Sequence, residues 1–455
     1  MSAPEALIER SSAANIGAEL HRFIEDLYPI CRSITGKGVR ETLFRIQQRL
    51  PLTIHEVPSG TPVFDWTVPR EWNIRDAWIK DLKGNRVVDF QRSNLHVMSY
   101  SVPIRTRVGR SELLAHLHTL PEHPGWIPYK TSYYAENWGF CASSEQAAIL
   151  TDAEYDVCID ASLEDGQLTY GECYLPGESP DEVLLSCHVC HPSLCNDNLS
   201  GVSVAVALGR WLSTLPARRL SYRLLFIPGT IGSITWLARN QERLSAIRHG
   251  LVLTGLGGPG HLVYKRSRRA TTEIDRAAAN VLRHSPGGGE VRDFIPYGYD
   301  ERQYCSPGIN LAVGCLSRTP YGEYPEYHTS ADNLDFVTPD GLEGAYVACQ
   351  SILAVLEENL TFLNRQPMGE PQLGRRGLYS SMGGAGEGRD REMALLWVLN
   401  LSDGGHSLLD IAERSGLSFA AIARAARLLQ QSGLLEADRA GLDAIDGTIQ
   451  GTTGA

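Results

Sequence analysis

VLLSCHVCHPSLCNDNLSGVSVAVALGRWL, residues 183–212, decides the reading of the fold. Val183 to Cys187 is a short apolar run without polar alternation, as in a strand buried on both faces. Ser200 to Leu212 is apolar enough for a buried helix. A strand, a short polar connection and a helix form the repeating half of a parallel α/β sheet. The alternation continues outward, with strands expected at Leu224–Ile227 and Leu251–Leu253 and helices at Ile231–Asn240 and Thr272–Arg283. Residues 126–365 therefore read as an α/β domain, its mostly parallel sheet covered by helices on both faces.

The flanking regions differ. Residues 1–50 read as a helical part of that domain: Leu20, Phe23, Ile24 and Leu27 recur at helical spacing, and a second helix is expected over 40–50. Residues 51–125 carry short strand-like runs, 53–57, 77–82 and 87–90, broken by Pro, Gly and Asn, and read as a small β-rich insertion. Residues 366–390 are rich in Gly and Pro and read as a linker. Residues 391–455 read as a winged helix. LLDIAERSG, a turn at Gly416, a cap at Ser418 and a stop at Gly433 set its helix–turn–helix, with a short two-stranded wing to follow.

Composition narrows the function. The 455 residues carry a net charge of −11, which argues against a general polyanion binder. From 391 to 446 there are five Arg and no Lys against eight Asp and Glu, too few cations for a groove-reading helix. A DNA-binding regulator is therefore the least favoured reading. No apolar run approaches the roughly 20 residues that span a bilayer, and the start of the chain lacks a secretory core. A cytoplasmic protein with its ten Cys reduced is expected. Lys265–Arg269 reads as a solvated basic run, and Gly255–Gly260, which lacks the Lys-Ser/Thr of a phosphate loop, as a turn after a strand.

Three clusters can carry chemistry. His188, His191 and Asp197 follow the end of the 183–187 strand, where open α/β sheets place their sites. Two imidazoles and a carboxylate suit a cation such as zinc. A zinc-ribbon use of Cys187 and Cys190 lacks a second C-x-x-C. The other clusters are YGYDERQYCSPGIN, 297–310, with Asp300 and Glu301, and YPEYHTSADNLDFV, 324–337, with His328. Any one of these residues alone more often packs, caps or faces solvent.

Together, CHVCHPSLCNDNLSG, YDERQYCSPG and YHTSADNLD resemble the zinc aminopeptidase-like superfamily, which includes bacterial leucyl aminopeptidase-type exopeptidases. The chain is most similar to an aminopeptidase-like family with an early β insertion and a C-terminal winged helix, on the further segments Trp138–Cys141 and Pro228–Ile234. That resemblance covers nearly the whole chain. It implies Asp197 as a carboxylate bridging two zinc ions or binding one, with His328 on one side and Asp300 and His188 on the other. His191 rivals His188. It also implies an amide-cleaving mechanism in which zinc is the Lewis acid and a carboxylate carries the proton to the leaving amine.

One departure matters. The superfamily places a general-base Glu in a P-E-T-I-G-S run, where this chain has Pro228-Gly229-Thr230, and no acid lies between Asp197 and Glu242. Glu301 and then Glu326 are the candidates for a relocated base. Tyr299, Tyr304 and Tyr327 flank the expected ligands and could line the pocket or donate to an oxyanion. The expectation is a metal-dependent hydrolase holding one or two zinc ions and acting on a small aminoacyl molecule or short peptide. A zinc-binding pseudoenzyme is the alternative. No membrane or nucleic-acid partner is expected, the winged helix is read as a packing, oligomerisation or docking unit, and a homo-oligomer stays open.

Overall fold

A computed structural model describes residues 15–318, 320–378 and 387–438. The expected domain spans reach outside them at both ends of the chain and within the linker. Helices α1 (Ile16–Leu27) and α2 (Lys37–Gln47) come first among the described residues, the helical pair expected there. Strands β1 (Thr53–Pro58), β2 (Glu71–Lys80), β3 (Arg86–Asp89), β4 (Ile104–Gly109), β5 (Glu154–Glu164) and β6 (Gln167–Leu175) follow. The α/β repeat then runs β7 (Glu182–His188), α3 (Gly201–Thr214), β8 (Ser221–Ile227), α4 (Ile231–Arg239), β9 (Ile247–Leu253), β10 (Leu262–Lys265) and α5 (Glu273–His284). It closes with β11 (Gly289–Arg292), β12 (Val313–Arg318) and α6 (Pro339–Glu358).

The main sheet has eight strands in the order β1-β6-β8-β7-β9-β12-β10-β11. Its centre, β8-β7-β9-β12, is parallel, and antiparallel pairings appear toward both edges. β7 shows why. Val183, Leu185 and Cys187 enter one core with α1, α3 and α6, whereas Leu184 enters the core on the other face. Successive side chains point to opposite faces, so a strand apolar at every position must be covered twice.

The insertion differs from its expected bounds. β1 belongs to the edge of the main sheet, and the separate four-stranded sheet β3-β2-β5-β4 takes β5 from beyond residue 125. The apolar run Ile309–Val313 enters a strand only at Val313, because Asn310 turns the chain with a φ of 51°.

Arg40 of α2 ties these layers together. Its guanidinium grips both oxygens of Glu71 on β2, at 2.8 and 2.7 Å, and Glu71 also accepts the Gln167 N–H of β6. The Arg40 hydrogen bonds hold the Glu71 carboxyl down at about 2, against an ordinary 4.5. A folded-state pKa depressed in this way stabilises the fold above pH 4.5 and loses that contribution as pH falls toward 2. Denaturant midpoints measured across this window should fall more steeply for the wild type than for Glu71→Gln.

The C-terminal unit comprises β13 (Thr361–Asn364), α7 (Glu387–Leu401), β14 (Asp403–Ser407), α8 (Leu408–Ser415), α9 (Phe419–Gln431) and β15 (Leu435–Ala437). Its sheet, β14-β13-β15, begins before the stretch read as linker. Gly416 takes the left-handed turn after α8, and the Ser418 hydroxyl accepts the Ala421 N–H to cap α9. The unit leans on the α/β domain: Arg276 of α5 bonds Asp410 and Glu413, and Arg427 of α9 pairs with Glu358. Of the two cations on α9, only Arg424 is exposed and without a partner among the described residues. No helix among the described residues is long and apolar enough to cross a membrane.

Candidate metal centre

The parallel strands deliver their loops to one end of the sheet. β7 ends on His188, and Cys195–Ser200 forms an irregular turn before α3. The turn is pinned from several sides. Asn196 Oδ1 accepts the N–H groups of Gly257 and Gly258, so the glycine-rich turn after β9 serves as a clamp. Asn198 Nδ2 donates to Leu253 O at 2.9 Å. Asp332 accepts the N–H groups of Asn196 and Asp197 at 2.5 and 2.9 Å. Arg32 is buried and donates to the His191 carbonyl at 2.8 Å, fixing the loop that carries that ring.

Asp197 is thereby held among three imidazoles. His188 Nε2 lies 2.8 Å from Oδ1, His328 Nε2 lies 2.9 Å from Oδ2, and His191 Nε2 lies 3.9 Å from Oδ2. Potential ligand atoms of His188, His191 and Asp197 all lie within 4.8 Å of one another. His328 reaches the group from a backbone with φ of 56°, a left-handed conformation that is uncommon for His and held by surrounding contacts. Its carbonyl accepts the Tyr129 N–H at 2.7 Å, and the Tyr129 ring meets both His191 and His328 edge-on.

Burial pushes the Asp197 carboxyl up, and the imidazoles together more than reverse this, leaving it well below the ordinary range. Burial also lowers His191 to about 3, which keeps the ring neutral. A neutral imidazole and an ionised carboxylate are the ligand forms. Two imidazoles and one carboxylate within mutual reach, with His328 joined to them through Asp197, fit a divalent cation such as zinc.

The remaining sequence candidates fall in different places. Asp300 is fully buried: Ser233 Oγ donates to Oδ1 at 2.8 Å, Oδ2 has no partner, and burial raises the carboxyl to about 7. It is not part of the His188–His191–Asp197 group. Glu301, expected as base or ligand, is committed elsewhere. Its carboxylate pairs with Lys265 and accepts the Tyr299 N–H at 3.1 Å. This also corrects the reading of Lys265 as solvated. Glu326 is half-buried, and among the described residues its carboxylate makes no hydrogen bond or ion pair. Tyr304 does not line a pocket; it is buried, with its hydroxyl on Ser186 Oγ at 2.9 Å. Tyr327 stacks on His328, with ring centroids 3.9 Å apart.

Tyr299 explains the departure at Gly229. Its ring stacks on His188 with centroids 3.8 Å apart, and its hydroxyl lies 3.4 Å from His191 Nε2. The same ring presses on Gly229, where an added Cβ would stand 2.2 Å from Tyr299 Cε1. The phenol fills the space a carboxylate side chain at 229 would need. Burial raises its pKa well above the ordinary value, so the hydroxyl keeps its proton and can donate it in a hydrogen bond. Sequence reasoning missed Tyr129, Arg32 and Asp332 as supports of the centre.

Residues 21–359 match the family model described as a domain of unknown function, DUF4910. The chain belongs to the DUF4910 family. A winged helix-turn-helix model matches residues 360–437 of this DUF4910 chain. A Clostridium acetobutylicum protein, assigned by name to polysaccharide biosynthesis with an aminopeptidase-like domain, is 51% identical over 425 residues, 93% of this chain and 98% of that protein. A crystal structure from Clostridium acetobutylicum, assigned by name to the peptidases, superposes with a TM-score of 0.90 at 50% identity over 96% of this chain and 100% of its own.

Two distant structures share the fold. The zinc aminopeptidase of Bacillus subtilis gives a TM-score of 0.54 at 12% identity over 74% of this chain and 93% of its own. An M28 peptidase precursor of Shewanella amazonensis gives 0.55 at 12% identity over 78% and 96%. The DUF4910 chain therefore has an aminopeptidase-like α/β fold with a C-terminal winged helix, as its motifs led us to expect.

Proposed function

We propose that this protein is a metal-dependent hydrolase of amide bonds, aminopeptidase-like in chemistry, that holds zinc at the centre described above. One observation carries the reading: a buried, ionised carboxylate, Asp197, with two imidazoles from the 188–191 segment and a third from the distant His328 around it. His188, Asp197, His328 and His191 would hold the cation, which supplies Lewis acidity toward an amide carbonyl. Tyr299 presents a protonated hydroxyl at the rim of the group, placed to donate to charge developing on the carbonyl oxygen. Asp300 Oδ2, buried without a partner and near neutrality, is the available proton carrier or further ligand. The name of the Clostridium relative favours a small acylated or aminoacylated biosynthetic intermediate over protein as substrate.

The test is hydrolysis of aminoacyl amides and short peptides by protein loaded with zinc, cobalt or manganese, with metal counted by elemental analysis. Turnover should require the metal and vanish in His328→Ala. Turnover that survives both chelation and His328→Ala overturns the proposal. A second reading, a zinc-binding pseudoenzyme, is favoured by the missing carboxylate at Gly229. It predicts stoichiometric metal without turnover on any member of the panel.

A further inference from the structure

We propose that the small cavity beside the centre is a subsite for an acyl side chain ending in a carboxylate, with Arg302 as its specificity-determining residue. Its place in turnover rests on the hydrolase reading; its capacity to bind does not.

The cavity measures about 210 Å³ and is lined by Trp66, Tyr133, Tyr134, Gly229, Tyr299 and Arg302, among others. Its inner wall is the Gly229–Tyr299 contact, one ring away from His188. Its outer rim is unusual. Trp66 and Tyr134 leave 47% and 53% of their surface exposed, with their ring centroids 5.3 Å apart. Large aromatic faces left open at the mouth of a cavity are suited to cover the apolar stem of a ligand.

Arg302 is the one charged residue in the lining. It is half-buried, its Nε is fully enclosed and lacks a hydrogen-bond partner, and its guanidinium makes no ion pair among the described residues. Of the acids that adjoin it in sequence, Glu301 is engaged on Lys265 and the Tyr299 N–H, and Asp300 takes the Ser233 hydroxyl on Oδ1 and leaves Oδ2 unpaired, with no hydrogen bond to Arg302. With Nε sealed off, the terminal nitrogens of the guanidinium are what Arg302 offers to a ligand in the cavity. A carboxylate answers a guanidinium with two parallel hydrogen bonds. It also matches the single positive charge, whereas a phosphate dianion would leave charge over. The volume is below the ~300–1,000 Å³ of whole-ligand sites, so the cavity takes a side chain rather than a whole molecule. A glutamyl-like group, with a short apolar stem under the aromatic rim and an acid at the tip, meets these conditions.

The experiment compares L-glutamate with L-glutamine by titration calorimetry on the zinc-loaded full chain, alongside turnover of glutamyl and glutaminyl p-nitroanilides. These probes differ only in carboxylate against carboxamide. Glutamate should bind roughly tenfold more tightly, the scale of one charge-assisted hydrogen bond. Arg302→Gln should erase the preference without weakening glutamine, and Arg302→Lys should keep part of it. Equal affinities in the wild type, no binding of either probe, or an unchanged preference in Arg302→Gln overturns the subsite. Selective binding without turnover of either nitroanilide removes the hydrolase reading and leaves the subsite standing. Equal turnover of both, with no binding preference, does the reverse.

Discussion

Asp197→Asn should empty the metal centre and abolish turnover while leaving the fold intact. The amide matches the carboxylate in size, so the turn before α3 keeps its packing. Its backbone N–H still reaches Asp332. What is lost is the negative charge that draws His188, His191 and His328 to one point. Losing an outer partner of a ligand typically costs about 10–100-fold in affinity, so losing the shared carboxylate should cost more than 100-fold. The readout is metal stoichiometry together with thermal unfolding. Zinc at about 100 times its Kd should stabilise the wild type by about 2.7 kcal/mol, and the variant should gain essentially nothing. A variant that still binds zinc stoichiometrically and gains the same stability would show that the imidazoles suffice and that Asp197 is not the organising ligand.

Gly229→Glu should be the most damaging substitution that adds a group. Its Cβ would lie 2.2 Å from Tyr299 Cε1, so the ring must leave His188 or the backbone must move. Overpacking of this kind costs about 1–3 kcal/mol, and turnover should fall with the displaced ring. The informative partner is Gly229→Glu combined with Tyr299→Ala, which clears the space. General-base help is worth about 10²–10⁴-fold. A gain of that order in the double variant would mark the native chain as a decayed enzyme. A double variant slower than wild type would assign the work to the tyrosine hydroxyl. A single variant with wild-type stability would place the ring somewhere other than on Gly229.

The legible parts of the sequence were those with local signals. The run at 183–187 announced a doubly covered strand, and Leu20, Phe23, Ile24 and Leu27 announced α1. Strand membership was not local. Nothing in β1 distinguishes an edge of the main sheet from an insert strand, and β5 joins the insert only through pairing with β2 and β4. The site followed the same rule. His188, His191 and Asp197 stood out as a cluster just past a strand end, whereas His328 joined them only through the resemblance; in the fold all three rings lie around Asp197. Glu301 misled because adjacency to Asp300 does not fix direction: its carboxylate turns to Lys265. The missing acid at 229 was visible, but its cause was not, because Tyr299 lies 70 positions away and meets it only in the folded chain.

The two carboxylate bonds from Asp332 to the Asn196 and Asp197 backbone have a wider consequence. Asp332 sits four positions after His328, so the loops that carry Asp197 and His328 are stitched into one unit and neither can drift without dragging the other. The aromatic mouth is built independently, with Trp66 borrowed from the short 62–67 hairpin of the insertion. The hairpin can therefore change its sequence and reshape the mouth of the cavity without disturbing the cluster around Asp197.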